Sequence, residues 1–232
     1  MSIDQPIYIF YHVYLMGDYK LVIQEQIQKV FLSGLYDECT EFRIYISAPN
    51  ENKDKISWVS KITKPFEKIK LCTIDIDKTN LPNDYRESKI TLQKMREFVE
   101  THPGFYCFFH TKGIFNRGYN IDMWRISCDW AIFKNWRECI KMLNEGLFDA
   151  VGPNLRFNTF LGHHPHFSGG YWFATQSHLT KLNDTYLTDT QNKYLEEFWI
   201  GSNYNAKLGS IYECGHDAPY VIENEIDNFI KA

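Results

Sequence analysis

Polar residues that could do chemistry are concentrated where a predicted strand ends. The apolar run Phe105–Phe109 is followed directly by His110, Thr111, Lys112 and Gly113. An aromatic run of this length is typical of a buried strand, and ligands of open α/β sheets bind at the carboxyl ends of strands. Lys112 could offset negative charge, and Gly113 lets a backbone approach a ligand closely. The competing interpretation is that His110 caps the strand and Lys112 points into water.

An acidic pair follows another predicted strand. Asp75 and Asp77 lie two residues apart at the end of the β-rich run Ile69–Ile76, so both carboxylates face the same side if the strand is regular there. Carboxylate oxygens suit Mg²⁺ or Mn²⁺. The pair therefore predicts a divalent-metal site, with a solvated strand end beside a turn as the alternative.

The elements that would position these residues alternate along the chain. Strands are predicted at Ile7–Tyr14, Phe42–Ala48, Ile69–Ile76, Phe105–Phe109 and Asp149–Asn154, and helices over 19–35, 56–62, from Pro82 to about Val99, and in one long run from Asp122 to Gly146. Such alternation favours a mostly parallel sheet covered by helices on both faces. The last third differs: a loop over 156–167 precedes a short strand at 171–174 and helices at 176–182 and 194–200.

Composition narrows the classes of function. The 232 residues carry a net charge of −4, which disfavours non-specific nucleic-acid binding. No apolar run is long enough for a membrane helix, and the first residues lack the order of a signal peptide, so a cytoplasmic protein is expected. The six cysteines form no Cys-x-x-Cys pair and are expected to be buried free thiols rather than zinc ligands.

Several segments together resemble a known family. They are IYIFYHVY at 7–14, SGLYDEC at 33–39, HTKG at 110–113, the pair Trp124-Arg125, VGPN at 151–154, HFSGGYWF at 166–173 and EEFWI at 196–200. This set resembles small GT-A-type glycosyltransferases of large DNA viruses and bacterial polysaccharide gene sets, over nearly the whole chain. The resemblance implies an α/β, GT-A (Rossmann-like) domain spanning 1–232, in which 1–154 bind a nucleotide sugar and 155–232 bind the acceptor.

The resemblance also implies roles for individual residues. The protein would transfer a sugar from a nucleotide-diphosphate sugar, UDP being the first choice, to a glycan acceptor with inversion. Glu197 would be the general base and Lys112 would stabilise the leaving group. Donor-binding residues would be His12, Tyr14, Asp75, Asp77, His110, Thr111, Lys112, Gly113 and Arg125. Acceptor-binding residues would be His166, Ser168, Gly169, Gly170, Trp172 and Trp199.

Two alternatives stay open at this point. Many GT-A enzymes hold a metal with Asp-x-Asp after the fourth strand, where this chain has HTKG, and the only Asp-x-Asp here is Asp75–Asp77. Either a divalent metal or Lys112 could therefore neutralise the diphosphate. A non-catalytic nucleotide- or glycan-binding module on the same fold is the alternative function, whereas the absence of Gly-x-Gly-x-x-Gly after the first strand disfavours other Rossmann-type enzymes.

Overall fold

A computed structural model describes residues 4–48, 53–75, 88–114, 119–157, 164–189 and 195–212. The strands in this part of the chain are β1 (Ile7–Tyr14), β2 (Glu41–Ala48), β3 (Ile69–Asp75), β4 (Phe105–His110), β5 (Ala150–Pro153), β6 (Leu155–Arg156), β7 (His166–Phe167), β8 (Trp172–Thr175) and β9 (Leu208–Tyr212). The helices are α1 (Tyr19–Leu32), α2 (Leu35–Glu38), α3 (Lys53–Thr63), α4 (Lys89–Val99), α5 (Tyr119–Asp129), α6 (Trp136–Asn144), α7 (Gln176–Leu179), α8 (Thr185–Thr188) and α9 (Leu195–Trp199).

Seven of these strands form one sheet in the order β3-β2-β1-β4-β8-β5-β9. The pairs β2–β3, β1–β2, β1–β4 and β5–β9 are parallel, and β8 is antiparallel to both of its neighbours, β4 and β5. The expected mostly parallel α/β, Rossmann-like sheet is confirmed. Strands β6 and β7 pair separately as a two-stranded antiparallel sheet.

Alternating side chains of the sheet build two cores. On β1, Ile9 and Tyr11 pack into a core with α1, α3, α5 and α6, whereas Tyr8 and Phe10 pack into a second core with α4, α7 and α9. A strand that is apolar on both faces is buried on both faces. The sheet is therefore a middle layer with helices on either side, and its strand ends are the places where polar residues can meet a ligand.

The long helix expected from Asp122 to Gly146 is interrupted, so that prediction was wrong in detail. A π-helical segment, Trp130–Lys134, separates α5 from α6. Its consecutive residues Ala131, Ile132 and Phe133 are all buried, and a π turn is how a helix accommodates an extra residue. The predicted helix start near Pro82 and the predicted strand residue Ile76 lie outside the described residues.

Candidate active site at the carboxyl ends of β1 and β4

Thr111 joins the ends of the two central strands. Its hydroxyl oxygen accepts a 3.0 Å hydrogen bond from the backbone N–H of Tyr14, and its own N–H donates to the carbonyl of His12 at 3.0 Å. His12 and His110 are partners in the β1–β4 register. Four of the predicted donor-binding residues are therefore brought together, because parallel strands end at the same edge of a sheet. Thr111 is itself buried and holds the loop after β4 in place.

The two histidines on this edge are neutral near pH 7. His110 Nε2 lies 2.8 Å from the carbonyl oxygen of Gly169 and must carry the proton, since a carbonyl only accepts. Burial, reinforced by the Lys112 ammonium, lowers the pKa of His110 to about 4. Burial also lowers the pKa of His12, and His110 adds to that effect. His12 Nδ1 bonds Thr91 Oγ1 at 2.7 Å, whereas its buried Nε2 has no hydrogen-bond partner among the described residues.

Lys112 presents a half-buried ammonium beside these histidines. Its Nζ lies 3.7 Å from the centre of the Trp124 ring, a cation–π geometry that holds the charge without neutralising it. In the part of the chain that the structure describes, no carboxylate forms an ion pair with it. A lysine held by an aromatic face, rather than by an acid, keeps its charge available for an anionic ligand.

The turn formed by Gly169 and Gly170 packs against Lys112, and its backbone conformation suits only glycine. Gly169 and Gly170 have φ of +107° and +72°. A Cβ on Gly169 would lie 3.1 Å from Cys128 Sγ and 3.2 Å from Trp124 Nε1, and one on Gly170 would lie 3.3 Å from His110 Nε2. Gly169 and Gly170, which were predicted to bind the acceptor, therefore pack directly on Lys112 and His110, which were predicted to bind the donor.

A buried polar network fixes this edge from inside the first core. Gln26 Nε2 lies 2.8 Å from Asp129 Oδ1, 2.8 Å from the Tyr171 hydroxyl and 3.2 Å from the His110 carbonyl oxygen. The Tyr171 hydroxyl donates to the same carbonyl at 2.7 Å, and Tyr11 donates to Gln26 Oε1 at 2.7 Å. The network joins α1, β4, α5 and the residue after the glycine turn.

Charges in this network are balanced by neighbouring side chains. Asp129 is fully buried, and its Oδ2 lies 3.0 Å from Lys29 Nζ and 3.5 Å from Arg125 Nη1. Arg125 is 1% exposed, and its Nη2 lies 2.9 Å from Glu25 Oε2. A buried carboxylate needs such partners, because desolvation penalises an unpaired charge. Among the described residues, the ion pairs of Arg125 are with protein carboxylates. Its role in donor binding therefore stays a prediction.

Helix α9, which carries Glu197, packs against β7, the strand that leads into the glycine turn. Phe198 packs edge-on against His166 of β7, with ring centres 4.7 Å apart. Glu197 is partly exposed, whereas Glu196 faces α4 and accepts a 2.6 Å hydrogen bond from Ser88. The two acids thus have different surroundings, as their adjacent positions on a helix require. The role of Glu197 as general base stays a prediction.

The two tryptophans predicted to contact an acceptor lie in the second core. Trp172 is 3% exposed and packs on Phe108, with ring centres 5.3 Å apart. Trp199 is fully buried, and its ring centre lies 6.4 Å from that of Trp172. Trp199 Nε1 has no hydrogen-bond partner among the described residues. Both rings pack the core behind the site, and their contact with an acceptor stays a prediction, as does that of His166 and Ser168.

The first residue of the predicted acidic pair, Asp75, ends β3, which lies three strand spacings from β4. Asp75 ends β3, and β2 and β1 separate β3 from β4, which puts the ends of β3 and β4 roughly 14 Å apart at the usual strand spacing. The Asp75 side chain and Asp77 lie outside the described residues. Within the described residues, no group of three or more His, Cys, Asp or Glu side chains could hold a metal ion. A metal site at Asp75 and Asp77 therefore stays a prediction.

Sequence reasoning missed the residues that hold this edge together. Gln26 and Lys29 lie on the buried face of α1 between the apolar residues Ile23, Ile27 and Val30. Polar side chains within an apolar helical stripe are a signal of a buried network, because an unpaired polar group there is costly. That signal was present in the sequence, but the partner, Asp129, is about a hundred residues away in the chain.

Comparisons with known proteins show only distant likenesses. No protein-family model matches the chain, and no curated protein sequence matches it. Among solved structures, the chain is similar to Rv0371c from Mycobacterium tuberculosis, with a TM-score of 0.42, 6% identity and 100% of both chains covered. It is similar to the manganese complex of the same protein, with a TM-score of 0.43, 6% identity and 98% and 99% of the two chains covered. It is also similar to HddC from Yersinia pseudotuberculosis, with a TM-score of 0.46, 8% identity and 97% and 99% covered. Likenesses this distant say nothing about the reaction.

No helix among the described residues is long and apolar enough to cross a membrane.

Proposed function

We propose that this protein is a glycosyltransferase that moves a sugar from a nucleotide-diphosphate sugar, first of all a UDP-sugar, to a glycan acceptor. The observation that carries the proposal is the half-buried Lys112 ammonium at the carboxyl end of β4, held on Trp124 without an acidic partner in the described part of the chain. Ligands of parallel α/β sheets bind at this edge. A fixed cation there suits the diphosphate that leaves when the sugar is transferred.

The surrounding residues supply the other features that such a donor needs. Burial lowers the pKa of His12 and keeps its imidazole neutral, so Lys112 is not opposed by a second positive charge on this strand end. Gly113, with φ of +76°, lets the loop turn beside Lys112. Gly169 and Gly170 let their turn pack directly on Lys112 and His110, which fixes the loop that carries the ammonium.

In the proposed reaction, an acceptor hydroxyl attacks the anomeric carbon as the bond to the diphosphate breaks. Glu197 takes the proton of that hydroxyl, and Lys112 stabilises the negative charge on the departing nucleoside diphosphate. The configuration at the anomeric carbon inverts. Asp75 and Asp77 are the residues that would hold a divalent metal, and such an ion would supply further positive charge for a diphosphate.

The proposal is tested by thermal unfolding with a panel of nucleotide sugars, each with EDTA or with Mn²⁺. A ligand that binds the native state raises the melting temperature with its occupancy. We expect UDP-sugars to raise it, and a shift that persists in EDTA assigns the neutralising role to Lys112 alone. If no nucleotide sugar changes the melting temperature, the proposed function is wrong.

Catalysis is separated from mere binding by Glu197→Gln, with Glu196→Gln as the matched control. We expect slow hydrolysis of the UDP-sugar by the native protein, loss of that hydrolysis in Glu197→Gln, and an unchanged melting shift. Binding without any hydrolysis in the native protein would instead favour a non-catalytic nucleotide- or glycan-binding module. Loss in Glu196→Gln but not in Glu197→Gln would move the base to the neighbouring acid.

A further inference from the structure

A cavity lies beside the elements assigned to the acceptor. Its volume is about 290 Å³, and its lining includes Phe157, Pro165, Gly201, Asn203, Tyr204 and Lys207. None of these side chains has a role in the donor site. A concave site with aromatic walls and a few polar groups is the usual form of a small-molecule site.

The two walls of this cavity are held in backbone contact. One wall is formed by Phe157 and Pro165. Phe157 directly follows the last residue of β6, and Pro165 directly precedes the first residue of β7. These two end residues, Arg156 and His166, are partners in the β6–β7 register. The other wall is the segment between α9 and β9. A Cβ on Gly201 would lie 1.7 Å from the Pro165 carbonyl oxygen, so only glycine allows this approach. The cavity is therefore built by the fold and is not a gap between unrelated loops.

Exposed aromatic rings are concentrated at this cavity. Six large hydrophobic side chains are exposed in the described part of the chain, and only two of them are aromatic, Phe157 at 69% and Tyr204 at 85%. Both line the cavity. Single exposed apolar residues need no explanation, but two aromatic rings that flank one concave site indicate a ligand with an apolar face.

Polar groups beside the rings suit hydroxyls. The side-chain carbonyl of Asn203 accepts from the backbone N–H of Asn205 at 3.2 Å, and its amide nitrogen is a further donor at the cavity. Lys207 adds an ammonium with three donors. Aromatic faces for C–H groups, together with amide and ammonium donors for oxygens, are the combination that recognises a pyranose ring.

We infer that this cavity is a carbohydrate subsite, which holds a sugar of the acceptor glycan away from the point of transfer. The assignment of the bound sugar to an acceptor glycan rests on the proposed function. Pro165 is one residue from His166, which packs on Phe198 of α9, and Gly201 follows α9 two residues after Trp199. The cavity therefore lies next to α9, the helix that carries Glu197, and it has the volume for a single monosaccharide unit or little more.

The test uses saturation-transfer NMR and fluorescence titration with four trisaccharides, those of glucose, N-acetylglucosamine, mannose and galactose. We expect at least one to bind the native protein, and the double variant Phe157→Ala/Tyr204→Ala to weaken that binding about tenfold or more, as loss of two stacking faces requires. Tyr204→Phe keeps the ring and should retain binding. Leu32→Ala, which removes an exposed apolar side chain on α1 (58% exposed), is the control for surface hydrophobicity.

The inference is overturned if none of the four trisaccharides binds, or if the double variant binds as the native protein does. Both substituted rings are exposed, so the fold should survive, and this is checked by the melting temperature without ligand. The melting shift with a UDP-sugar is measured on the same double variant and should be unchanged. A native protein that shows ring-dependent trisaccharide binding but no nucleotide-sugar shift would refute the proposed transfer and leave the carbohydrate subsite standing.

Discussion

At the scale of single residues, Lys112 is the side chain on which the proposed chemistry depends most. Its ammonium is positioned by the Trp124 ring at 3.7 Å, so its charge is fixed in place but has no acidic partner in the described part of the chain. Fixed charges that need no reorganisation are the most effective way to stabilise developing negative charge. Mutating this residue therefore tests the donor site directly.

We expect Lys112→Ala to weaken binding of UDP about 10- to 100-fold, the usual worth of a charge-assisted hydrogen bond. Lys112→Arg keeps the charge and should lose less. Isothermal titration calorimetry measures both, with the exposed Lys141→Ala on α6 as the control. Equal affinities for native protein and Lys112→Ala would remove Lys112 from the donor site.

His110 makes stability depend on pH in a defined direction. Its pKa in the folded protein is about 4, whereas an unfolded histidine titrates near 6.5. Between these values the unfolded chain binds more protons, so the contribution of neutral His110 is complete above about pH 6.5 and is lost as the pH falls towards 4.

We therefore expect the stability difference between native protein and His110→Gln to shrink as the pH falls from 7 to 4.5. The slope is at most about 1.4 kcal/mol per pH unit, the limit for one proton. Urea unfolding at a series of pH values measures it, and titrating groups whose pKa does not depend on His110 cancel in the comparison. A difference that is constant with pH, or that grows on acidification, would contradict the neutral, Gly169-bonded imidazole.

At the scale of elements, the glycine turn before β8 decides how the loop after β4 is held. Strand β8, which follows the turn, lies antiparallel between β4 and β5. The same turn packs its backbone on His110, Trp124 and Lys112. One short segment thus leads into the antiparallel strand and also shapes the candidate site.

Gly170 and Gly146 provide a matched pair for testing this turn. Their φ angles are +72° and +68°, but a Cβ on Gly170 would lie 3.3 Å from His110 Nε2, whereas nothing lies within 4 Å of a Cβ on Gly146. We expect Gly146→Ala to cost about 1 kcal/mol for the backbone alone. Gly170→Ala should cost about 1–3 kcal/mol more, from crowding.

Urea unfolding measures both costs, and titration with UDP should show weaker binding for Gly170→Ala only. If the two variants lose the same stability and bind UDP alike, the turn does not support the loop after β4.

At the scale of the whole molecule, the buried network of Gln26, Asp129 and Tyr171 connects distant parts of the chain. It joins α1 to α5 and both to the His110 carbonyl and the residue after the glycine turn. Because its charges lie in the first core, removing one of them leaves the others unpaired in a low-dielectric environment. The network therefore couples the stability of the fold to the geometry of the site.

We expect Asp129→Asn to lower the free energy of unfolding by about 3–5 kcal/mol, since Lys29 and Arg125 lose their shared buried carboxylate. The exposed Glu138→Gln on α6 should change it by less than about 0.5 kcal/mol. Denaturant unfolding measures both. A cost for Asp129→Asn as small as that of Glu138→Gln would mean that the network carries little of the stability.

Strands β1 to β5 and β8, and the edge at which a ligand would bind, were predicted from the sequence alone, whereas β6 and β7 lie where a loop was predicted and β9 was not predicted. The run Ile7–Tyr14 and the aromatic run from Phe105 are apolar on both faces, and such a strand has no stable place except the middle of a covered sheet. His110 to Gly113 follow that run directly, so local pattern was enough to put them at the strand end. Those predictions used only neighbours in the chain.

The tertiary structure alone decided which distant residues meet there. The antiparallel insertion of β8, the contact of Gly169 with Trp124 and Lys112, and the pairing of Gln26 with Asp129 all join residues tens to more than a hundred positions apart. Local pattern carries no information about such pairings, because they are selected by the packing of the whole chain and by the cost of leaving a buried charge or polar atom unpaired.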